Sequence, residues 1–134
     1  ITAMGSQCFQ RCESMEEFDV PEGITKIENN TFLDATSMKR LTLPESLLTI
    51  GNLAFQRMTS LTELVIPKNV TSIGNTAFSG TSGLTRLTVL AEVPPVVSAT
   101  TFNNVSADLV VYVPAASVDA YKASWTKVTI EPIK

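Results

Sequence analysis

Phenylalanine recurs in this chain at a fixed interval, and that interval constrains the fold more than any other feature. Phe9, Phe32, Phe55 and Phe78 stand 23 residues apart, and Phe102 follows after 24. Pro21, Pro44 and Pro67 keep the same step, and Pro114 lies twelve residues beyond Phe102, as Pro21 lies twelve beyond Phe9. Five apolar columns share the register: Met4, Ile27, Ile50, Ile73 and Val97; Met15, Met38, Leu61 and Leu84; Phe18, Leu41, Leu64, Leu87 and Val111; Val20, Leu43, Ile66, Val89 and Val113; and Ile1, Ile24, Leu47 and Val70. Self-similarity at a period of this length marks a stacked-repeat architecture. A unit so short cannot bury its own apolar side. Successive coils bury it against one another, and each column becomes a line through a continuous core.

Within a coil, the stretch Leu61-Thr-Glu-Leu64-Val-Ile66-Pro67 reads as a short strand. Residues 61, 64 and 66 point inward, residues 63 and 65 outward, and the proline ends the pairing because it has no N–H to donate. Strands of successive coils stack in parallel, about 4.8 Å apart. The second half, Val70 to Phe78, turns back across the other side. There Gly51 and Gly74 suit a tight backbone bend. Asn29, Asn52 and Asn75, with Ser6 as first member of the column, are expected to cap a short helical turn that holds the Ala-Phe pair.

The last coil departs from the pattern. Pro94-Pro95 replaces the usual turn and one residue is inserted. Ser117 to about Ser124 reads as a short helix, with Ser117 as N-cap and Asp119 in the first turn. Tyr121 and Trp125, four apart on one helix face, are placed to plug the open end of the core, as terminal repeats of solenoids do. The reading is an α/β solenoid in one domain over residues 1–134: repeats at about 1–23, 24–46, 47–69, 70–93 and 94–116, and a C-terminal helical cap over 117–134.

The unit carried by Ile73-Gly74, Ala77-Phe78, Leu61, Leu64, Ile66 and Pro67 resembles the BspA-type leucine-rich repeat, and Phe9-Gln-Arg-Cys12 matches the F-x-x-C form of its turn. The tail, from Pro94-Pro95 through Val111-Tyr112-Val113-Pro114 to Ser117–Lys122 and Trp125, resembles the C-terminal end of such proteins. The likeness covers essentially the whole chain. It departs at Glu28, where the next two units have glycine, and at Cys8, where they have alanine. The resemblance implies a right-handed leucine-rich coil with short parallel strands. It also implies an extracellular or surface-exposed bacterial protein, of the kind found in Bacteroidetes, lipid-anchored through an N-terminal region that precedes Ile1, with adhesion to host or microbial macromolecules as its role.

Composition narrows the classes of function. The formal charge is −3, and no basic stripe of the kind that binds nucleic acid is visible. No apolar run is long enough to span a membrane. The acidic residues gather near the start, where Glu13, Glu16, Glu17, Asp19, Glu22, Glu28 and Asp34 face only Arg11 and Lys26. No D-x-D-x-D-G loop accompanies them, so a solvated acidic surface is the better reading. Cys8 and Cys12 lack the further ligands a metal needs, and the chain has no histidine. Their columns, Thr31, Ala54 and Ala77 for the first and Ala35, Met58 and Thr81 for the second, read as small buried positions, and an oxidising compartment would leave a disulfide open to them. No metal and no cofactor is expected.

The candidate site is the outward face of the strands. One column runs Glu17, Arg40, Glu63, Arg86 and Val110; its neighbour runs Asp19, Thr42, Val65, Thr88 and Tyr112. Alternating signs at one-coil spacing read first as neighbouring ion pairs that pin the strand register, and second as a charged face for a polar ligand. Tyr112 alone is aromatic, too little for a sugar-stacking platform. Glu17 and Asp19 project from one face roughly 7 Å apart, a separation seen between inverting glycosidase carboxylates. Arg40 beside Glu17 and the lack of an apolar wall argue against acid catalysis. The function expected is a non-catalytic interaction module for an extracellular protein or glycan; the alternative is a structural spacer in a larger surface protein. The N-terminal face, where Ile1 starts in register with Ile24, reads as an open coil end suited to self-association. Phe55→Ala, in the middle coil, is expected to cost about 3–5 kcal/mol; an unchanged thermal melt would contradict the repeat register.

Overall fold

The computed structural model describes residues 15–98, 100–126 and 128–133. Cys8, Cys12, Phe9, Met4 and Ile1 therefore lie outside the described residues, as does the N-terminal face expected to self-associate. Six short strands form the front of the solenoid: β1 (Glu17–Asp19), β3 (Arg40–Thr42), β5 (Glu63–Ile66), β7 (Arg86–Val89), β8 (Val110–Val113) and β9 (Thr129–Pro132). Three two-residue strands form the back: β2 (Lys26–Ile27), β4 (Thr49–Ile50) and β6 (Ser72–Ile73). A 3₁₀ turn, Ala115–Ser117, leads into one helix, α1 (Val118–Ser124).

Every pairing is parallel and one coil apart. Phe18 faces Leu41, Leu64 faces Leu87, Leu87 faces Val111, and Ile50 lies between Ile27 and Ile73. The apolar columns are buried accordingly: Leu61, Ile66, Phe32, Phe55, Phe78, Leu84, Leu87 and Val89 are fully enclosed. The phenylalanine column is a stack of rings. Successive centroids from Phe32 to Phe55, Phe78 and Phe102 are 5.8, 5.3 and 5.5 Å apart, within the range of favourable aromatic pairs.

The second half of each coil differs from expectation. The Ala-Phe pair sits on consecutive tight turns, not on a helical turn. In the second coil, Thr31, Leu33 and Ala35 donate to carbonyls three residues back, while the alternate N–H groups of Asn30, Phe32 and Asp34 donate to Asn52, Ala54 and Gln56 of the next coil. The same alternation joins Leu53, Phe55 and Arg57 to Asn75, Ala77 and Ser79. It requires left-handed backbone at two positions per coil: Asn30, Leu53 and Thr76 in one column, and Asp34, Arg57, Gly80 and Asn104 in the other. Side chains other than Gly, Asn and Asp resist this conformation, so Leu53 and Thr76 are held there by the ladder around them.

The asparagine column does not cap these turns. The Asn29 side-chain oxygen accepts from the Asn52 N–H, and the Asn52 oxygen from the Asn75 N–H, both at 2.8 Å. Gly51 and Gly74 stand where the back strand gives way to the turns, and the Gly74 carbonyl accepts from the Ala77 N–H. The bend does not need left-handed backbone at either one; what demands glycine there is the close approach of the ladder. A Cβ on Gly74 would lie 2.5 Å from the Asn52 N and Oδ1 and 2.6 Å from the Gly51 carbonyl carbon. Only hydrogen fits between the coils.

The cap is as placed, with one change. Tyr121 and Trp125 are buried, and Trp125 extends the ring column, 5.1 Å from Phe102 and 5.0 Å from Tyr121. Ser117 stands at the helix start but its hydroxyl makes no capping bond; it donates to the Glu92 carbonyl at 2.7 Å. The Tyr121 hydroxyl donates to the Ala91 carbonyl and the Trp125 indole N–H to that of Pro95, at 2.7 and 3.1 Å. The cap thus holds the Pro-Pro turn by three side-chain donors, and burial pushes the Tyr121 phenol above its usual pKa. β9, which the sequence reading merged into the cap, adds a sixth front strand, with Ile130 buried opposite Val111. Its alternation and terminal proline were the available clue.

Two substitutions test the backbone account with opposite signs. Gly74→Ala should destabilise by about 1–3 kcal/mol, the usual range for overpacking. Thr76→Asn, which relieves a β-branched residue of left-handed backbone, should stabilise by about 0.5–1 kcal/mol. Urea denaturation read at constant m-value checks both.

Candidate interaction surface

The front face is a grid fixed by strand register. Glu17 is paired with Arg40 and Glu63 with Arg86, and Arg86 is followed by Val110; Asp19 is paired with Thr42, and Val65, Thr88 and Tyr112 run side by side. Strand alternation turns all of them outward. The candidate residues are therefore brought together on one surface, in the two columns expected.

The charges pair only at the N-terminal side. Arg40 Nη1 lies 3.8 Å from Glu17 Oε2, and Lys39 Nζ lies 3.4 Å from Glu16 Oε1. All four side chains are mostly exposed, so these pairs contribute little. Further along, the expected row of ion pairs stops. Arg86 stacks on the Tyr112 ring, with its guanidinium carbon 4.6 Å from the centroid. Among the described residues neither Arg86 nor Glu63 has an oppositely charged group within 4.0 Å. A guanidinium over a ring face gains roughly what a surface ion pair does and holds its position better. The Glu17 and Asp19 carboxylates are each tied to a neighbour, the first to Arg40 and the second to the Thr42 hydroxyl, which donates to it.

The front strands fall into two hydrogen-bonded blocks, β1–β3 and β5–β7–β8–β9, while the back sheet runs unbroken through β2, β4 and β6. β3 and β5 remain packed neighbours, but a groove of about 640 Å³ opens along their junction. Lys39, Arg40, Thr42, Glu63, Val65, Arg86 and Thr88 line it, with Leu41, Leu43 and Leu64 beneath. Leu43 is half-buried here, whereas Val20, Ile66, Val89 and Val113 of the same column are buried. Val65 is 49% exposed. The two-column pattern could not reveal this groove, because it arises where two neighbouring front strands pack without ladder hydrogen bonds. A shallower groove of about 410 Å³ follows the asparagine ladder on the back, between Lys26 and Val96.

Among the described residues, no group of three or more His, Cys, Asp or Glu is placed to hold a metal ion, and no helix is long and apolar enough to cross a membrane.

Three solved structures share the fold. The pneumococcal vaccine antigen PcpA is 24% identical with a TM-score of 0.73, over 99% of this chain and 39% of that one. A leucine rich repeat protein of T. pallidum is 23% identical with a TM-score of 0.79, over 98% of this chain and 64% of that one. A leucine rich cell surface protein of Faecalibacterium prausnitzii is 27% identical with a TM-score of 0.67, over 84% of this chain and 39% of that one. The chain thus spans between about two fifths and two thirds of the length of these relatives. No curated protein matches it. The family model for the BspA type leucine rich repeat region matches in six copies across residues 1–109. With the 23-residue columns, the parallel front strands and this match in hand, the chain belongs to the BspA-type leucine-rich repeat family, whose solenoid is an interaction or scaffold module.

Proposed function

We propose that the chain is a non-catalytic interaction module at the cell surface, adhering to a host or microbial macromolecule through its front face. The observation that carries this reading is the groove between β3 and β5. It sets an exposed Val65 and a half-buried Leu43 among Lys39, Arg40, Glu63 and Arg86. Protein interfaces combine an apolar centre with a polar, charged rim, and this groove has both. The fold shared with a leucine rich cell surface protein supports an extracellular or surface location. A lipid anchor outside the 134 residues is consistent with that location.

A spacer role is the second reading. It is favoured by the Asn29–Asn52–Asn75 ladder and the turn ladder, which make the coils stiff without regard to any ligand.

A binding screen separates the two. Residues 1–134 are exposed to extracellular-matrix proteins and a glycan array beside an Arg40→Glu/Arg86→Glu variant with an unchanged melt. Saturable binding weakened at least about tenfold in the variant, a loss of roughly 1.4 kcal/mol, is the expected result. A folded wild type that binds nothing returns the weight to the spacer.

A further inference from the structure

The front groove has a chemical bias that goes beyond the presence of a binding face. Three cations rim it, Lys39, Arg40 and Arg86, against one carboxylate, Glu63. Lys39 and Arg40 are partly satisfied by Glu16 and Glu17. Arg86 is not: among the described residues no carboxylate lies within 4.0 Å of it. Its guanidinium is held over Tyr112 by its face. Stacking of that kind leaves the in-plane N–H donors available for a carboxylate and fixes the group before a ligand arrives.

The floor is apolar. Val65 is exposed on the strand beside Arg86, and Leu43 is half-buried just past the end of β3. Carboxylates that bind only to cations need no such floor. A ligand that alternates acidic and apolar side chains uses both. The ligand is also unlike a glycan. Sugar rings stack on exposed aromatic faces, and the aromatic side chain of this grid, Tyr112, has Arg86 over its ring.

We propose that this groove binds an acidic, partly apolar peptide segment of a protein partner, with Arg86 as the carboxylate anchor and Val65 and Leu43 as the apolar floor. The inference rests on the interaction-module reading above and names its ligand class. Glu63 then works against the ligand, since it is the lone carboxylate in the rim.

The test is fluorescence anisotropy of a labelled peptide that alternates Glu with Val, titrated with the 134-residue chain, beside the same peptide carrying Lys for Glu. The Glu peptide is expected to bind saturably, more weakly as salt rises, and the Lys peptide to bind at least about tenfold more weakly. Arg86→Gln should weaken the Glu peptide by about tenfold. Glu63→Gln should tighten it by roughly two- to fivefold, a gain that a misfolded variant cannot produce. Equal binding of the two peptides, no binding of either, or weaker binding by Glu63→Gln overturns the inference. Saturable binding of polygalacturonate in place of the Glu peptide, lost in Arg86→Gln, overturns the peptide assignment and leaves the interaction-module reading standing. That reading fails separately, if the broader screen finds no ligand at all.

Discussion

Everything in this molecule depends on the fact that a coil's backbone finds its partners one coil away. Front and back strands pair in parallel across that distance, and the turns between them do the same with every second N–H. Buried peptide groups must be hydrogen-bonded, so each coil has to return to the same height after the same number of residues. The fixed period follows from that requirement. So does the ring stack: phenylalanines one coil apart are held at centroid distances of 5.3 to 5.8 Å, and Trp125, just past the end of α1, closes the series with an indole in place of the next phenyl.

The core was legible because burial is a property of single side chains at regular intervals. Ile24, Leu47, Leu61, Leu64 and the phenylalanines needed only their spacing to be placed. The asparagine and glycine columns were legible as columns but not as devices. Their role is set by a pair of coils: Asn52 reaches back to nothing in its own turn, and Gly74 is small because the Asn52 backbone passes close to it. A capping preference read within one segment misses a bond that spans 23 residues. Ser117 shows the same limit, being at the helix start and bonded instead to Glu92 across the cap. β9 was missed because a strand of four residues carries too short a pattern to stand out.

On the surface, the two outward columns were placed correctly by alternation alone, yet their energetics were not. Charge order suggested a chain of ion pairs. The structure keeps one, Glu17 with Arg40, and then lets Arg86 turn to Tyr112. Two weak attractions competed for one guanidinium, and the sign pattern in the sequence records only one of them. The groove beside it was out of reach for a further reason. It lies where the front sheet is interrupted between β3 and β5, and Leu43 there is only half-buried in a column that is otherwise buried.

The turn ladder carries one more consequence. Its coil-to-coil bonds all run in the same sense: Asn30, Phe32, Leu53, Phe55, Phe78 and Gly80 each donate toward the C-terminal neighbour. Peptide dipoles aligned this way add along the axis, as they do in a helix, whereas in a sheet strand dipoles leave little net moment. This edge of the solenoid is therefore electrically polar, with its positive end toward the cap. Added coils of the same kind extend that polarity without changing its sign, and the two ends of the stack are never equivalent to an approaching charge.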